Sequence, residues 1–93
     1  MYLANFLNNI FKNNGFILVD ANLKKYIIGC PLKKTPITLK ILNKKLHYKL
    51  MLRPDLYFGE AYANGDIVIE DGTLTDFLDI VLMNIGRGEI NFF

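Results

Sequence analysis

The first residues of the chain place apolar side chains at helical spacing. One side of the predicted helix carries five of them: Leu3, Phe6, Leu7, Ile10 and Phe11. Asparagines and Lys12 fall on the other side, which is the pattern of an amphipathic helix. Asn13, Asn14 and Gly15 follow and suit a helix C-cap. We therefore predict an N-terminal helix that ends at this Asn-Asn-Gly segment.

Three stretches rich in β-branched and aliphatic residues come next. GFILVD and KYIIG, separated by ANLK, predict a hairpin in which Asp20 and Asn22 supply the turn chemistry. ITLKIL, which follows a loop bracketed by Pro31 and Pro36, predicts a third strand.

A short helix is predicted after the third strand. Asn43 is a suitable N-cap for a helix that runs to about Leu52. Its core-facing residues are predicted to be Leu46, Leu50 and Met51. Pro54 either ends this helix or begins the next one, because proline is tolerated at a first helical position.

The last part of the chain predicts a strand followed by a helix. Asn64-Gly65 predicts a turn, DIVIE alternates in the manner of a strand, and Asp71-Gly72 predicts a second turn. Thr73 and Asp76 have the spacing of a capping box. The helix behind it carries an apolar stripe: Leu74, Phe77, Leu78, Val81, Leu82 and Ile85.

The order of elements predicts an α+β fold. Three strands are grouped early without strict βαβ alternation, which favours a small, mostly antiparallel sheet of about four strands covered by helices. We expect residues 1–85 to form a single non-catalytic domain. Residues 86–93, GRGEINFF, contain two glycines and end on aromatic residues, and we interpret them as the start of a linker.

Composition and charge narrow the class of protein. The chain has 93 residues and is 52% hydrophobic, which fits one globular domain. Its net charge of +2 conceals a division along the chain. Between Ala21 and Pro54 every charged residue is basic: Lys24, Lys25, Lys33, Lys34, Lys40, Lys44, Lys45, Lys49 and Arg53. From Asp55 onwards Arg87 is the one base among acids. Such a division predicts a dipolar surface if the two parts occupy different faces.

The residues that support catalysis or metal binding are scarce. The chain contains no serine, one cysteine (Cys30) and one histidine (His47), and nothing in their spacing brings the last two together. The acids around Asp66 lack the spacing of a calcium loop, and the glycines at 59 and 65 match no phosphate-binding loop. Gly59 is expected to permit close packing inside a helical segment. The sequence therefore predicts no catalytic residue and no metal site.

The basic stretch has three interpretations. Nucleic-acid binding is not favoured, because Tyr26, Tyr48 and Tyr57 are scattered rather than interleaved with lysine on one predicted strand face. Anionic lipid would attract lysines beside a helix by roughly 1 kcal/mol per residue near the surface. An ordinary solvated lysine surface is the third interpretation, and the residues taken by themselves favour it over membrane binding.

The segment HYKLMLRPDLYFGEAYANGDIVIEDGTLTDFLDIVLMN resembles the N-terminal domain of cyclopropane-fatty-acyl-phospholipid synthases and related lipid methyltransferases. The similarity covers Pro54-Asp55-Leu56, Gly59-Glu60-Ala61-Tyr62, Asn64-Gly65, Asp71-Gly72 and the leucine-rich stretch 74–82. The earlier GFILVDANLKKYIIG is similar to the opening hairpin of that family. Ala63 departs from the pattern, since relatives often carry a larger residue there.

The resemblance implies a non-catalytic accessory domain. The family's methyltransferase domain, with its S-adenosylmethionine loop, would follow this segment, and no such loop is present in this chain. The implied partners are an anionic phospholipid membrane, the methyltransferase domain and a second copy of the chain, with a cytoplasmic location at the inner membrane face. Candidate membrane-binding residues are Lys40, Lys44, Lys45 and Lys49. Glu60, Tyr62 and Gly59 are candidates for an interdomain or dimer contact.

A second class of function stays open. The fold of the family is similar to sterol-carrier-like α+β domains, so the chain could instead be a stand-alone lipid carrier with an apolar cavity beneath its helices. Retained lipid would favour the carrier, and salt-sensitive vesicle binding without retained lipid would favour the accessory domain.

Overall fold

The computed structural model describes residues 2–85 of the chain, without the side chains of Asp55 and Ile85. Eight elements follow one another: α1 (Tyr2–Ile10), β1 (Phe16–Val19), β2 (Lys25–Ile28), β3 (Thr38–Ile41), α2 (Leu46–Leu52), α3 (Pro54–Asn64), β4 (Ile67–Glu70) and α4 (Leu74–Ile85). The predicted α+β class is confirmed. The linker predicted at residues 86–93 lies outside the described residues.

The four strands form one mixed sheet in the order β2-β1-β3-β4. β1 and β2 form the predicted antiparallel hairpin, and β3 pairs with β4 in the same sense. β1 and β3 are parallel, with Leu18 opposite Leu39. The loop over residues 29–37 allows this pairing, because a parallel neighbour needs a crossover rather than a tight turn. The sheet is thus mostly antiparallel, with one parallel pair that the sequence did not predict.

The core lies on one face of this sheet. Phe16, Leu18, Leu39 and Ile41 are almost completely buried there, together with apolar residues of all four helices. Alternation along the strands sends the neighbouring residues to the opposite face. On that face Ile27 of the edge strand β2 is 66% exposed. The predicted cover of helices therefore exists on one face of the sheet, whereas the other face carries exposed apolar residues.

The end of α1 differs from the prediction. The helix stops at Ile10, and Gly15 does not adopt the left-handed conformation of a C-cap glycine. Instead, a Cβ atom at Gly15 would collide with the carbonyl oxygen of Ile28. Gly15 is therefore needed for the close approach of two backbone segments at the start of the hairpin.

The start of α2 is also shifted from its predicted position. The helix begins at Leu46, and its N-cap, Lys45, makes no side-chain capping bond. Asn43 lies in the preceding turn, where its Oδ1 accepts a hydrogen bond of 3.0 Å from the amide of Lys45. A short polar side chain can stabilise a turn as readily as a helix start, so the Asn43 capping prediction was wrong in position. Leu46 and Leu50 are buried as predicted.

The two remaining helices begin or end as the sequence indicates. Pro54 starts α3, and Gly65 ends it with φ = 80°. The amides of Gly65 and Asp66 bond to the carbonyls of Tyr62 and Ala61, which is the Schellman arrangement. At the start of α4 the Thr73 amide donates to Asp76, and the Asp76 amide donates to the Thr73 hydroxyl. The predicted capping box is confirmed.

The apolar stripe of α4 is rotated slightly from its predicted position. Phe77, Ile80 and Val81 are its buried residues, and Ile80 was not in the predicted stripe. Leu82 was predicted to face the core but is 37% exposed. The 3.6-residue pattern fits both sets of residues, and the packing of Phe77 against Phe11, Phe16 and Phe58 selects between them.

Candidate binding surface

Three of the four candidate lysines lie in α2 or directly before it. Lys44 and Lys45 lie in the turn before this helix and Lys49 lies within it, and all three side chains are exposed. Their position follows from the packing of α2, because Leu46 and Leu50 occupy the side that faces the core. The structure therefore brings Lys44, Lys45 and Lys49 together. We call these three residues the α2 lysines.

Lys40 is placed elsewhere. It lies in β3 between two core residues, Leu39 and Ile41, so strand alternation directs it to the open face of the sheet. Its Nζ is 3.9 Å from Oε1 of Glu70, with side-chain exposures of 33% and 50%. An ion pair this exposed contributes little stability. Lys40 is thus separated by the sheet from the side on which α2 packs.

A shallow cleft joins α2 to α3. Lys45 and Lys49 line one part of it, and Glu60 and Asp66 line another. Within residues 2–85 neither lysine forms an ion pair with either carboxylate. The basic and acidic parts of the chain therefore meet here, as they do at Lys40 and Glu70. The condition for a dipolar surface, that the two parts of the chain occupy different faces, is therefore not met at these two places.

Two aromatic or apolar side chains beside the α2 lysines were missed by the sequence reasoning. Tyr48 is 71% exposed and Leu52 is 76% exposed, both on α2. Their exposure follows from the predicted inward position of Leu46, Leu50 and Met51, since α2 has no other side on which to place them. Lys49 also lies over the ring of Tyr57, 5.4 Å from its centroid.

The candidate contact residues lie on the outside of α3. Glu60 is exposed, and Tyr62 is 40% exposed with its ring stacked 6.3 Å from that of Phe58. Gly59 was expected to allow close packing, but a Cβ atom there would meet no other atom within 4 Å. That expectation is wrong: nothing inside the described domain requires a glycine at position 59.

An apolar cavity lies between the helices and the sheet. Its lining includes Leu18, Leu50, Phe58 and Phe77, and its volume is about 40 Å³. Pockets that hold small-molecule ligands measure roughly 300–1,000 Å³. The cavity is therefore a packing void of a few water volumes, and an acyl chain would fit only if the helices moved away from the sheet.

A buried carboxylate with a lowered pKa, that of Asp20, belongs to the hairpin turn. Asp20 is 4% exposed, and its Oδ1 accepts the amides of Asn22 (2.8 Å) and Lys24 (2.9 Å). The Tyr26 hydroxyl donates to Oδ2 at 3.3 Å. Burial raises the pKa of Asp20, but these hydrogen bonds and the nearby His47 outweigh burial and lower it. The perturbed pKa is thus explained by the turn and needs no catalytic role.

Other kinds of site are not evident in the described part of the chain. Residues 2–85 contain no group of three or more histidine, cysteine or acidic side chains arranged to hold a metal ion. Cys30 is a free, exposed thiol. His47 Nε2 is buried and lacks a hydrogen-bond partner within these residues. None of the helices between residues 2 and 85 has the length and hydropathy to cross a bilayer.

Comparison with known proteins adds no further assignment. No protein-family model, no curated protein and no solved structure matches this chain. The similarity to the N-terminal domain of cyclopropane-fatty-acyl-phospholipid synthases stays a prediction from the residues themselves.

Proposed function

We propose that this chain is a non-catalytic accessory domain of an S-adenosylmethionine-dependent lipid methyltransferase of the cyclopropane-fatty-acyl-phospholipid synthase type, and that the α2 lysines draw it to anionic phospholipid. The observation that carries the proposal is the grouping of Lys44, Lys45 and Lys49, all exposed, around one short helix. The cofactor of such a methyltransferase, S-adenosylmethionine, would bind in the methyltransferase domain rather than in this domain.

The expected attraction is large enough to matter. Each basic residue close to an anionic bilayer contributes roughly 1 kcal/mol, so three contribute about 3 kcal/mol, or about a hundredfold in the partition constant. Glu60 and Asp66, in the cleft beside Lys45 and Lys49, reduce this value by repelling the same surface. The result is reversible binding that weakens as salt screens the charges.

Co-sedimentation with vesicles tests this function. Native protein is mixed with neutral phosphatidylcholine vesicles and with vesicles that also contain phosphatidylglycerol, each at low and at moderate salt. We expect sedimentation with the anionic vesicles alone, and less of it at the higher salt. Absence of binding under every condition would refute membrane engagement by this domain.

Assembly is a second proposed role, and the exposed side of α3 is its candidate surface. Gly59 and Tyr62 are both exposed there, and the domain itself gives no reason for a glycine in the middle of this helix. A partner backbone that packs closely against Gly59 would supply such a reason. The test is sedimentation equilibrium of native protein and of the Glu60→Lys and Tyr62→Ala variants, alone and with the methyltransferase domain; complexes unaffected by both substitutions would exclude this surface.

The alternative function as a lipid carrier is less well supported. The apolar cavity of about 40 Å³ has no room for an acyl chain in the described conformation. Native mass spectrometry of freshly purified protein separates the two functions. A retained fatty acid or phospholipid would favour the carrier, whereas unliganded protein that binds anionic vesicles would favour the accessory domain.

A further inference from the structure

We infer that Tyr48 and Leu52 insert into the bilayer interface, so that the domain does not bind by charge alone; this inference rests on the proposed membrane function. Both side chains project into solvent, with 71% and 76% of their surfaces exposed. They are the most exposed apolar or aromatic side chains of α2. Large apolar side chains that lie together on one helix surface mark a place where something else covers them.

Tyr48 and Leu52 lie on the same side of α2 as two of the α2 lysines. At about 100° per residue, Tyr48, Leu52, Lys45 and Lys49 fall within a sector of roughly 100°. Leu46 and Leu50 lie on the other side, in the core. The outward sector of α2 therefore combines two lysines with one tyrosine and one leucine.

This combination fits a lipid surface better than it fits the interior of a protein complex. An interfacial helix places apolar side chains at the boundary between headgroups and acyl chains and basic residues at its edges. Lysine can keep its ammonium group among the headgroups while its methylene stem lies along the apolar region. Tyrosine is favoured at the same depth, because its ring is apolar and its hydroxyl is polar.

The positive charge around Tyr48 and Leu52 also favours an anionic lipid surface as the partner. From Ala21 to Pro54 the chain contains no acidic residue, so α2 and the turn before it carry positive charge alone. Anionic lipid supplies the complementary charge over the whole sector. The carboxylates of Glu60 and Asp66 lie to one side, where the cleft meets α3.

The expected signature is a binding component that salt does not remove. Transfer of part of the leucine surface out of water strengthens the partition by about tenfold, and this contribution is not screened by ions. Leu52→Ser should therefore lower partition to anionic vesicles about tenfold at every salt concentration, while the dependence on salt stays that of the native protein. Removal of lysines should instead flatten the salt dependence.

Tryptophan fluorescence measures the insertion directly. The chain has no tryptophan, so Tyr48→Trp and Leu52→Trp each create a single reporter on the outward side of α2. Ile27→Trp is the matched control, since Ile27 is 66% exposed on the open face of the sheet. Vesicles of phosphatidylglycerol and phosphatidylcholine, with bromine on the upper acyl carbons, supply a quencher at known depth.

The inference predicts a blue shift and bromine quenching for the reporters at 48 and 52, and neither for the reporter at 27. Unchanged emission from the α2 reporters in protein that sediments with anionic vesicles would overturn insertion and leave the charge-based function standing. If native protein does not sediment with anionic vesicles, both the insertion and the charge-based membrane function are overturned. A blue shift that depends on protein concentration without vesicles would assign the surface to a second copy of the chain and also overturn insertion.

Discussion

Replacement of Gly59 by alanine should make the isolated domain more stable. Gly59 is the sixth of the eleven residues of α3, and its backbone is outside the left-handed region. A Cβ atom at this position meets nothing within 4 Å, so the new methyl group causes no clash and gains no burial. The effect is then that of helix propensity alone, which favours alanine over glycine by about 0.8–1.0 kcal/mol.

Chemical denaturation followed by circular dichroism measures this gain. For a domain of this size a urea m-value of about 1 kcal/mol/M is expected, so the midpoint should rise by about 0.8–1 M. The melting temperature should rise by roughly 4–8 °C. The matched control is Gly65→Ala, where the Cβ atom also meets nothing within 4 Å but φ is 80°. That variant should lose about 1–2 kcal/mol, because an L-residue is strained there.

Comparing Gly59→Ala with Gly65→Ala separates the effect of backbone conformation from that of side-chain packing, because the added Cβ atom makes no contact in either variant. Destabilisation by Gly59→Ala would refute the helical, open setting of this residue. Stabilisation of the isolated domain combined with weaker assembly with the methyltransferase domain would instead show that a partner, and not the domain itself, requires the glycine.

Three further variants test the turns and the cleft. Gly15→Ala should abolish folding or cost several kcal/mol, because its Cβ collides with the Ile28 carbonyl; native-like stability in urea would contradict that contact. Asp20→Asn should cost about 2 kcal/mol near neutral pH by weakening charge-assisted hydrogen bonds. Since folding lowers the pKa of Asp20, its ionised form contributes stability above the ordinary aspartate pKa, about 4, and the contribution is lost as pH falls through the lower folded value. The free energies of unfolding of the native protein and of Asp20→Asn should therefore converge as the pH is lowered. A difference in unfolding free energy that stays constant down to the lowest pH would contradict this assignment. Glu60→Gln should raise partition to anionic vesicles about fivefold by removing one repulsive charge beside Lys45 and Lys49, whereas unchanged or weaker sedimentation would place Glu60 away from the bound membrane.

The sequence was sufficient for the features that local chemistry determines. The hairpin turn at Asp20, the turn at Asn64-Gly65 and the capping box at Thr73 each require particular residues within five positions of one another. The sequence predicted the turn at Asn64-Gly65 but not that it would form the Schellman end of α3. The inward positions of Leu46 and Leu50 followed from helical periodicity. These signals depend on spacing along the chain, and spacing is what a sequence displays.

Features that depend on distant segments were not predictable in the same way. β1 pairs with β3 in parallel, and Gly15 approaches Ile28 closely. These contacts join segments that are far apart along the chain, and the packing of the whole domain decides which segments become neighbours. The separation of Lys40 from the α2 lysines likewise needs the sheet, since charge counts along the chain place all four residues together. The exposure of Tyr48 and Leu52 could have been inferred, because it is the complement of the predicted core side of α2.

The most direct test of the account compares the three α2 lysines with Lys40 in quantitative vesicle binding. The variant with Lys44→Gln, Lys45→Gln and Lys49→Gln should partition to phosphatidylglycerol-containing vesicles about a hundredfold more weakly than native protein. Lys40→Gln removes a charge on the open face of the sheet and should bind nearly as the native protein does. Circular dichroism of both variants establishes that they fold. Native-like binding by the triple variant, or an equal loss from Lys40→Gln, would contradict the assignment of membrane engagement to α2.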